Sequence, residues 1–225
     1  MTESELRDEI CRVGESLFNR GYVHATAGNI SVRLPESEGG GYLITPTDAC
    51  LGYLDPKRLA RLDSNGQQLS GDRGSKTIAL HRKIYAATHD SNQVANCVIH
   101  THSTNCVALT LADTLQAELI PALTPYFVMK VGHVPVIPYH RPGDPLAAEL
   151  VSDAIREYAK RGLCIRAVML TRLGPNVWHD SPASAMATLE ELEETARLWW
   201  MSKCQPSSLS QDAISVLEST FATKW

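Results

Sequence analysis

Residues 94–103 read VANCVIHTHS, and this stretch gives the first indication of both the fold and a functional site. A short, mostly apolar run that ends in polar residues is typical of a buried strand. Residues i and i+2 of a strand point to the same face, so His100 and His102 stand side by side at its carboxyl end. Imidazoles suit zinc and similar divalent ions. The spacing predicts a shared metal ion, although the same pattern also occurs as two ordinary core or surface histidines.

Two polar turns lie beside predicted strands upstream of this stretch. Gly28 and Asn29 lead into a strand within residues 26–34, and the sequence TPTD at 45–48 follows a strand at 42–45. Glycine lets a backbone N–H approach an anion, and Asn or Thr adds a neutral donor. The two segments are either ordinary turns or parts of an anion-binding site.

A helix is predicted from about residue 75 to residue 87, and it begins with Ser75-Lys76. The free N–H groups and the dipole at a helix amino terminus favour a bound anion. Lys76 would add a positive charge at that end. The alternative is a capped surface helix with a solvated lysine.

Local signals place the other elements around these segments. They are a capping box from Thr2, a hairpin turn at Asn65-Gly66, a proline-containing strand at 134–139 and a helix start at Ser181-Pro182. Strands often follow one another directly between the helices. This order predicts an α/β (α+β) fold with a central, mostly antiparallel or mixed sheet flanked by helices. We expect a single domain over residues 1–225, with a tail from about residue 204.

Composition excludes several classes of protein. The chain has 225 residues and a net charge of −4, and it contains no long run of Lys or Arg, so it has no electrostatic footprint for nucleic acid or membrane surfaces. The sequence contains no run of 18 apolar residues, so we expect no membrane-spanning helix. The acidic amino terminus does not resemble a signal peptide. We therefore expect a cytoplasmic location. The six cysteines are scattered without a Cys-x-x-Cys pair, which favours reduced thiols.

Several stretches together resemble the class II aldolase/adducin family, closest to its 3-oxo-tetronate 4-phosphate decarboxylase branch. The resemblance extends from about residue 5 to residue 203. It is carried by AGNIS at 27–31, ITPTDACLGYLDP at 44–56, LSGDRGSK at 69–76, VIHTHS at 98–103, TPYFVMKVGHVPVIPYHRPGD at 124–144 and LEELEETARL at 189–198.

The resemblance implies a fold and a set of site residues. The family's fold is a nine-stranded, mostly antiparallel sheet flanked by helices, usually in a four-fold tetramer. Zinc or a similar divalent ion would lie on His100 and His102, and Tyr126 would serve a neighbouring subunit's site as a proton donor. The residues implied to bind phosphate are Gly28, Asn29, Thr45, Thr47, Ser75 and Lys76.

The chain departs from the family at two positions. Thr77 stands where the family has a glutamate that acts as acid and base, and Leu173 stands where it has a third histidine ligand. Threonine is not a usable base at neutral pH, and leucine has no lone pair. The third ligand is left open, with His179, His140 or His133 as candidates. His24, His81 and His89 have no partner at ligand spacing and are expected to be structural or solvated.

These losses favour one reaction over another. A 3-oxo acid loses CO₂ through an enolate, a step that needs an electron sink but abstracts no proton. An aldolase depends more on proton transfer, so loss of the glutamate impairs an aldolase more than a decarboxylase. The sequence therefore predicts a lyase that converts a phosphorylated four-carbon 3-oxo sugar acid to dihydroxyacetone phosphate and CO₂. The alternatives are a sugar-phosphate aldolase of the fuculose-phosphate type and a non-catalytic, adducin-like binding module.

Overall fold

A single sheet forms the centre of the protein in the computed structural model, which describes residues 1–111, 116–203 and 205–225. Its eight strands are β1 (Asn29–Arg33), β2 (Tyr42–Ile44), β3 (Ala60–Leu62), β4 (Gln68–Ser70), β5 (Cys97–His100), β6 (Val136–Ile137), β7 (Ala167–Leu170) and β8 (Gly174–His179). They lie side by side in the order β4-β3-β2-β1-β5-β8-β7-β6. Only β6 and β7 pair in parallel. The predicted mostly antiparallel sheet is confirmed, with eight strands in the described ranges where the resemblance implied nine.

Six α-helices accompany the sheet in the described part of the chain. They are α1 (Glu3–Asn19), α2 (Ile78–Asp90), α3 (Thr104–Leu109), α4 (Pro145–Lys160), α5 (Pro182–Met201) and α6 (Gln211–Phe221). A π-helical segment covers Phe127–Val131. The predicted helix at 103–112 corresponds to α3, and its last predicted residue lies outside the described ranges. None of the described helices is long and apolar enough to cross a membrane.

Strand alternation divides the core into two layers. Ile30, Ile99 and Val177 point to the face covered by α1 and α5. Val98, Val168 and Trp178 point to the opposite face, where α2 and α4 pack. Because successive side chains alternate, Asn29, His100 and Asn176 share this second face. The candidate site therefore lies on the α2 side of the sheet.

Most of the predicted helix and turn signals are confirmed. Thr2 and Glu5 form the reciprocal capping box, and the Ser181 side chain accepts the N–H of Ser184. Asn65-Gly66 lies in the turn between β3 and β4. The proline-rich segment contributes β6, which is one of the two edge strands of the described sheet. The five described cysteines are free, as the spacing predicted.

The neighbours of β5 determine what surrounds the histidine pair. β5 lies between β1 and β8 and is antiparallel to both. Asn29 lies directly opposite His100 on one side, and Asn176 lies opposite it on the other. The first residues of β1 and β8 and the last residues of β5 therefore lie side by side, at the same end of these three central strands. Any loop that precedes β1 or β8 can reach the two histidines.

Candidate functional site

The two histidines of the His-Thr-His sequence lie close together where β5 ends. The ring centres of His100 and His102 are 5.0 Å apart, with the planes inclined at 67°. Two imidazoles that share one zinc ion, with Zn–N distances of about 2.0–2.1 Å, place their ring centres roughly 5 Å apart. The spacing of this pair therefore fits a shared ion.

Hydrogen bonding and burial prepare His100 to act as a ligand. Its Nδ1 lies 3.0 Å from the carbonyl oxygen of Pro175, an atom that only accepts, so Nδ1 carries the proton and donates it. Nε2 then keeps its lone pair, as in metal-bound histidines held by a carbonyl. Burial, followed by the neighbouring His102, lowers the pKa of His100 to about 4, while the Pro175 bond opposes this change. Burial also lowers the pKa of His102. Both rings are neutral at neutral pH.

Leu173 does not supply the third ligand, because its side chain is a hydrocarbon. It lies in the turn between β7 and β8, where its N–H donates to Leu170 O at 3.0 Å. The side chain packs against the core cluster that contains Trp178. In the parts of the chain that the structure describes, no three His, Cys, Asp or Glu side chains are arranged to hold an ion.

The three candidate replacements for this ligand lie elsewhere. His179 is paired with Cys97 at the opposite end of β5, about 10 Å from His100 at ~3.3 Å per residue. The His133 Nδ1 is bound to Glu118 at 2.7 Å. His140 follows the edge strand β6, and its Nδ1 lies 3.8 Å from the Asp144 carboxylate. These positions argue against all three histidines as ligands beside His100.

His24 is a member of the histidine cluster that the sequence analysis did not recognise. Its ring centre lies 6.4 Å from that of His102, in an edge-on arrangement at 72°. His24 stands in the loop before β1, and β1 pairs with β5. Sequence spacing gives no signal for the pair of His24 and His102, because 78 positions separate the two residues. Only the antiparallel pairing of β1 and β5 brings them to one edge.

The predicted phosphate residues converge next to the histidines through a chain of hydrogen bonds. Asn29 Nδ2 donates to Thr77 Oγ1 at 3.3 Å, and the Ser75 hydroxyl donates to the same oxygen at 3.2 Å. Asn29 Oδ1 is buried and has no hydrogen-bond partner within the described residues. The start of β1 and the segment that leads into α2 are thereby joined beside His100.

Two further predicted residues hold the loop at 73–75 in place. Ser75 N donates to Thr45 O at 3.1 Å, and Thr47 N donates to Arg73 O at 2.8 Å. Thr45 Oγ1 accepts the N–H of Ile30 at 3.2 Å. Four of the six predicted phosphate residues therefore lie on segments joined by hydrogen bonds, and these are Asn29, Thr45, Thr47 and Ser75. A fifth, Gly28, lies in the loop before β1.

Gly28 is required by close packing. Its φ is +85°, and a Cβ at this position would lie 2.9 Å from His100 O and 2.8 Å from Val23 Cγ1. Any larger residue would push the loop before β1 away from the end of β5. Lys76 is exposed just before α2 and forms no ion pair in the described parts of the chain. The helix itself begins at Ile78, three residues later than predicted.

Comparison with known proteins identifies the family. The model of the class II aldolase and adducin N-terminal domain matches residues 8–200. The chain belongs to the class II aldolase/adducin family.

Named relatives and solved structures agree with this family. A 3-oxo-tetronate 4-phosphate decarboxylase of Cupriavidus necator is 50% identical over 230 residues, which cover 100% of this chain and 99% of that protein. The protein of the same name from Escherichia coli K12 is 40% identical, over 87% of this chain and 86% of its own length. The crystal structure of YgbL from Escherichia coli superposes with a TM-score of 0.84 at 37% identity, covering 96% of this chain and 98% of that one. The matching proteins are named as decarboxylases and aldolases, so the prediction of a carbon–carbon lyase is confirmed.

Tyr126 is a predicted site residue that lies on the surface of the single chain. It is 62% exposed and immediately precedes the π-helical segment, whose Phe127 and Val131 pack in the core layer of α1 and α5. No hydrogen bond connects Tyr126 with His100 or His102 in the described structure. Its role in a neighbouring subunit's site stays a prediction.

A buried polar group lies under the site on the α2 side. The Ser31 hydroxyl lies 2.8 Å from His81 Nδ1 and 2.8 Å from the Tyr85 hydroxyl. Burial, with His100 as a second cause, lowers the pKa of His81 to about 3, so its ring is neutral. Asn176 is fully buried opposite His100, and neither of its amide atoms has a partner within the described residues. No sequence pattern indicates a role for Asn176, which stands in an otherwise ordinary strand.

Proposed function

We propose that this protein catalyses the metal-dependent decarboxylation of 3-oxo-tetronate 4-phosphate to dihydroxyacetone phosphate and CO₂. The named relatives support a decarboxylase. The observation that carries the proposal is the register of β1 and β5, which sets Asn29 of the phosphate cluster directly opposite His100 of the histidine pair. A short substrate with a phosphate at one end and a reacting carbonyl near the other matches such a site.

The chemistry requires an acceptor for one electron pair. The C1–C2 bond breaks, CO₂ leaves, and the pair moves onto the 3-oxo oxygen to give an enolate. A divalent ion, which we propose is zinc, would be held by His100 and His102 and would supply the electrophile that stabilises this charge. The two neutral rings and the lone pair on His100 Nε2 fit such an ion.

The remaining residues have defined tasks in this proposal. Gly28, Asn29 and Ser75 border the phosphate, and Lys76 neutralises part of its charge. Thr77 acts through its bonds to Asn29 and Ser75 and positions both side chains. It does not need to act as a base, because the bond that breaks releases CO₂ without a proton abstraction. The enolate then takes a proton at C2, which we assign to the Tyr126 hydroxyl of a neighbouring subunit.

A Lys76→Ala substitution tests the phosphate site. It should raise KM for the phosphorylated substrate about 10- to 100-fold, because a charge-assisted contact contributes roughly 1.5–3 kcal/mol. The control is Lys83→Ala, which removes an α2 lysine that pairs instead with Glu149 at 2.8 Å. Steady-state kinetics of both variants give the comparison. Equal KM values for the two variants would show that Lys76 is an ordinary surface lysine.

The assignment of Tyr126 requires an oligomer, and we propose a homotetramer. Light scattering should give a mass of about four times the 24.7 kDa chain. Tyr126→Phe should lower kcat while the mass stays unchanged, because only the hydroxyl is removed. An active monomer would contradict this arrangement. A cytoplasmic location, with a small phosphorylated sugar acid as the partner, completes the proposal.

Two other functions would give different products in assays of the same purified protein. An aldolase of the fuculose-phosphate type would cleave L-fuculose 1-phosphate and release no CO₂, and a binding module would turn over neither substrate. We expect CO₂ and dihydroxyacetone phosphate from 3-oxo-tetronate 4-phosphate and little cleavage of L-fuculose 1-phosphate. Coupled assays for CO₂ and for dihydroxyacetone phosphate separate the three outcomes. Cleavage of the aldol substrate at the higher rate would overturn the decarboxylase proposal.

A further inference from the structure

His24 lies beside the histidine pair without belonging to it. Its ring centre is 6.4 Å from that of His102, edge-on at 72°, and the described structure has no ring contact between His24 and His100. The ring contacts therefore run from His100 through His102 to His24. We propose that His24 binds the carboxylate of the phosphorylated 3-oxo acid and thereby selects this class of substrate. This inference rests on the decarboxylase function proposed above.

The phosphate cluster lies at the opposite end of this row of rings. Asn29 stands directly opposite His100 in the strand register, and its side chain bonds to Thr77 at 3.3 Å. In the substrate, five covalent bonds separate the phosphorus from the carboxylate carbon, a length of roughly 6 Å at about 1.5 Å per bond. A substrate with its phosphate beside Asn29 and its carbonyl at the histidine pair therefore directs its carboxylate toward His24.

The His24 ring is available for such a contact. The side chain is exposed, and its ring atoms take part in no hydrogen bond or ion pair within the described residues. An imidazole carries at least one N–H donor in each of its protonation states, and a carboxylate oxygen accepts from it. No acidic side chain of the described chain competes with the substrate for this donor.

The backbone that carries His24 is held in a defined turn. His24 O accepts the N–H of Ala27 at 2.9 Å, and Ala25 has a left-handed φ of 49°. The loop continues to Gly28, where a Cβ would lie only 2.9 Å from His100 O. The loop therefore fixes the His24 Cα relative to the end of β5, while the ring stays free to turn toward a ligand.

The reaction determines which kinetic constant His24 affects. The carboxylate loses its charge as the C1–C2 bond breaks, because the group leaves as neutral CO₂. A hydrogen bond from His24 is therefore strongest in the bound substrate and weakens toward the transition state. Loss of the ring should raise KM without lowering kcat to the same extent. A sugar phosphate that has no carboxylate at this end gains nothing from His24.

Binding of two ligands to the zinc-loaded full chain tests this assignment. 4-Phosphoerythronate keeps the carboxylate and the phosphate but has a hydroxyl in place of the 3-oxo group, so it does not decarboxylate. Dihydroxyacetone phosphate has no carboxylate. His24→Ala should weaken binding of 4-phosphoerythronate about 10- to 100-fold, the effect of a lost hydrogen bond to a charged group, and leave binding of dihydroxyacetone phosphate unchanged. Titration calorimetry gives both affinities.

Two further variants make the test specific. His24→Gln keeps an N–H donor and should recover part of the lost affinity, and the control His89→Ala removes an exposed histidine of α2 and should change neither affinity. Wild-type binding of 4-phosphoerythronate by His24→Ala, or an equal loss for both ligands, would overturn the assignment of His24. A wild-type protein that binds neither ligand would instead overturn the proposed function, and the assignment with it.

Discussion

Replacing His100 with alanine should remove the bound metal and lower the rate of decarboxylation by at least about 100- to 1,000-fold. A single lost electrostatic stabiliser of a developing oxyanion typically has an effect of this size. His100 is central to the site because its ring is oriented by Pro175 O and lies 5.0 Å from that of His102. The measurement is metal content by elemental analysis together with kcat/KM. His102→Ala should behave in the same way.

The control for this prediction is another histidine of the same sheet. His179 lies at the opposite end of the β5–β8 ladder, where its Nδ1 bonds to Asp180 at 2.8 Å. His179→Ala should retain both the metal and the activity. Full metal occupancy in a His100→Ala/His102→Ala double variant would be incompatible with the proposed site.

Replacing Gly174 with alanine should destabilise the protein by more than about 3 kcal/mol. Gly174 has a φ of +136°, and a Cβ there would overlap with the carbonyl oxygen of Thr101 and lie 3.2 Å from His102 Cα. Both obstacles are backbone atoms at the end of β5, so they cannot move aside without shifting the histidine pair. The expected loss combines a conformational penalty of about 1–2 kcal/mol with overpacking of about 1–3 kcal/mol.

Gly143→Ala is the matched control for the Gly174 variant. Gly143 also has a left-handed φ, of +77°, but a Cβ there would meet no atom within 4 Å. Both substitutions change the unfolded chain equally, so the difference between them reports the folded-state cost at Gly174, which combines the steric overlap with its less favourable φ. Urea unfolding gives the two free energies. Equal losses for both variants would mean that β8 and the end of β5 are not packed as closely as described.

Features determined by short-range interactions could be predicted from the sequence. The Thr2 capping box, the Ser181 helix start and the Asn65-Gly66 turn each depend on residues within three or four positions of one another. The same holds for the pairing of His100 with His102, because strand geometry alone brings residues i and i+2 together.

Features determined by long-range contacts could not be predicted in this way. Ahead of α2, which begins at Ile78, Ser75 N donates to Thr45 O across the site, and no local pattern indicates this contact. His24 joins the histidine cluster only through the pairing of β1 with β5. Only the strand register, which places His179 opposite Cys97, shows that His179 lies away from His100. In each case the deciding partner is distant in sequence, where local patterns carry no information.

In the proposed mechanism, a divalent ion held by the histidine pair drives the loss of CO₂. The most direct measurement is CO₂ release from 3-oxo-tetronate 4-phosphate by the chelator-treated wild-type protein, before and after stepwise addition of Zn²⁺. We expect almost no CO₂ before addition, and a rise that reaches a plateau at one ion per chain. Undiminished CO₂ release from protein shown to be metal-free would contradict this mechanism.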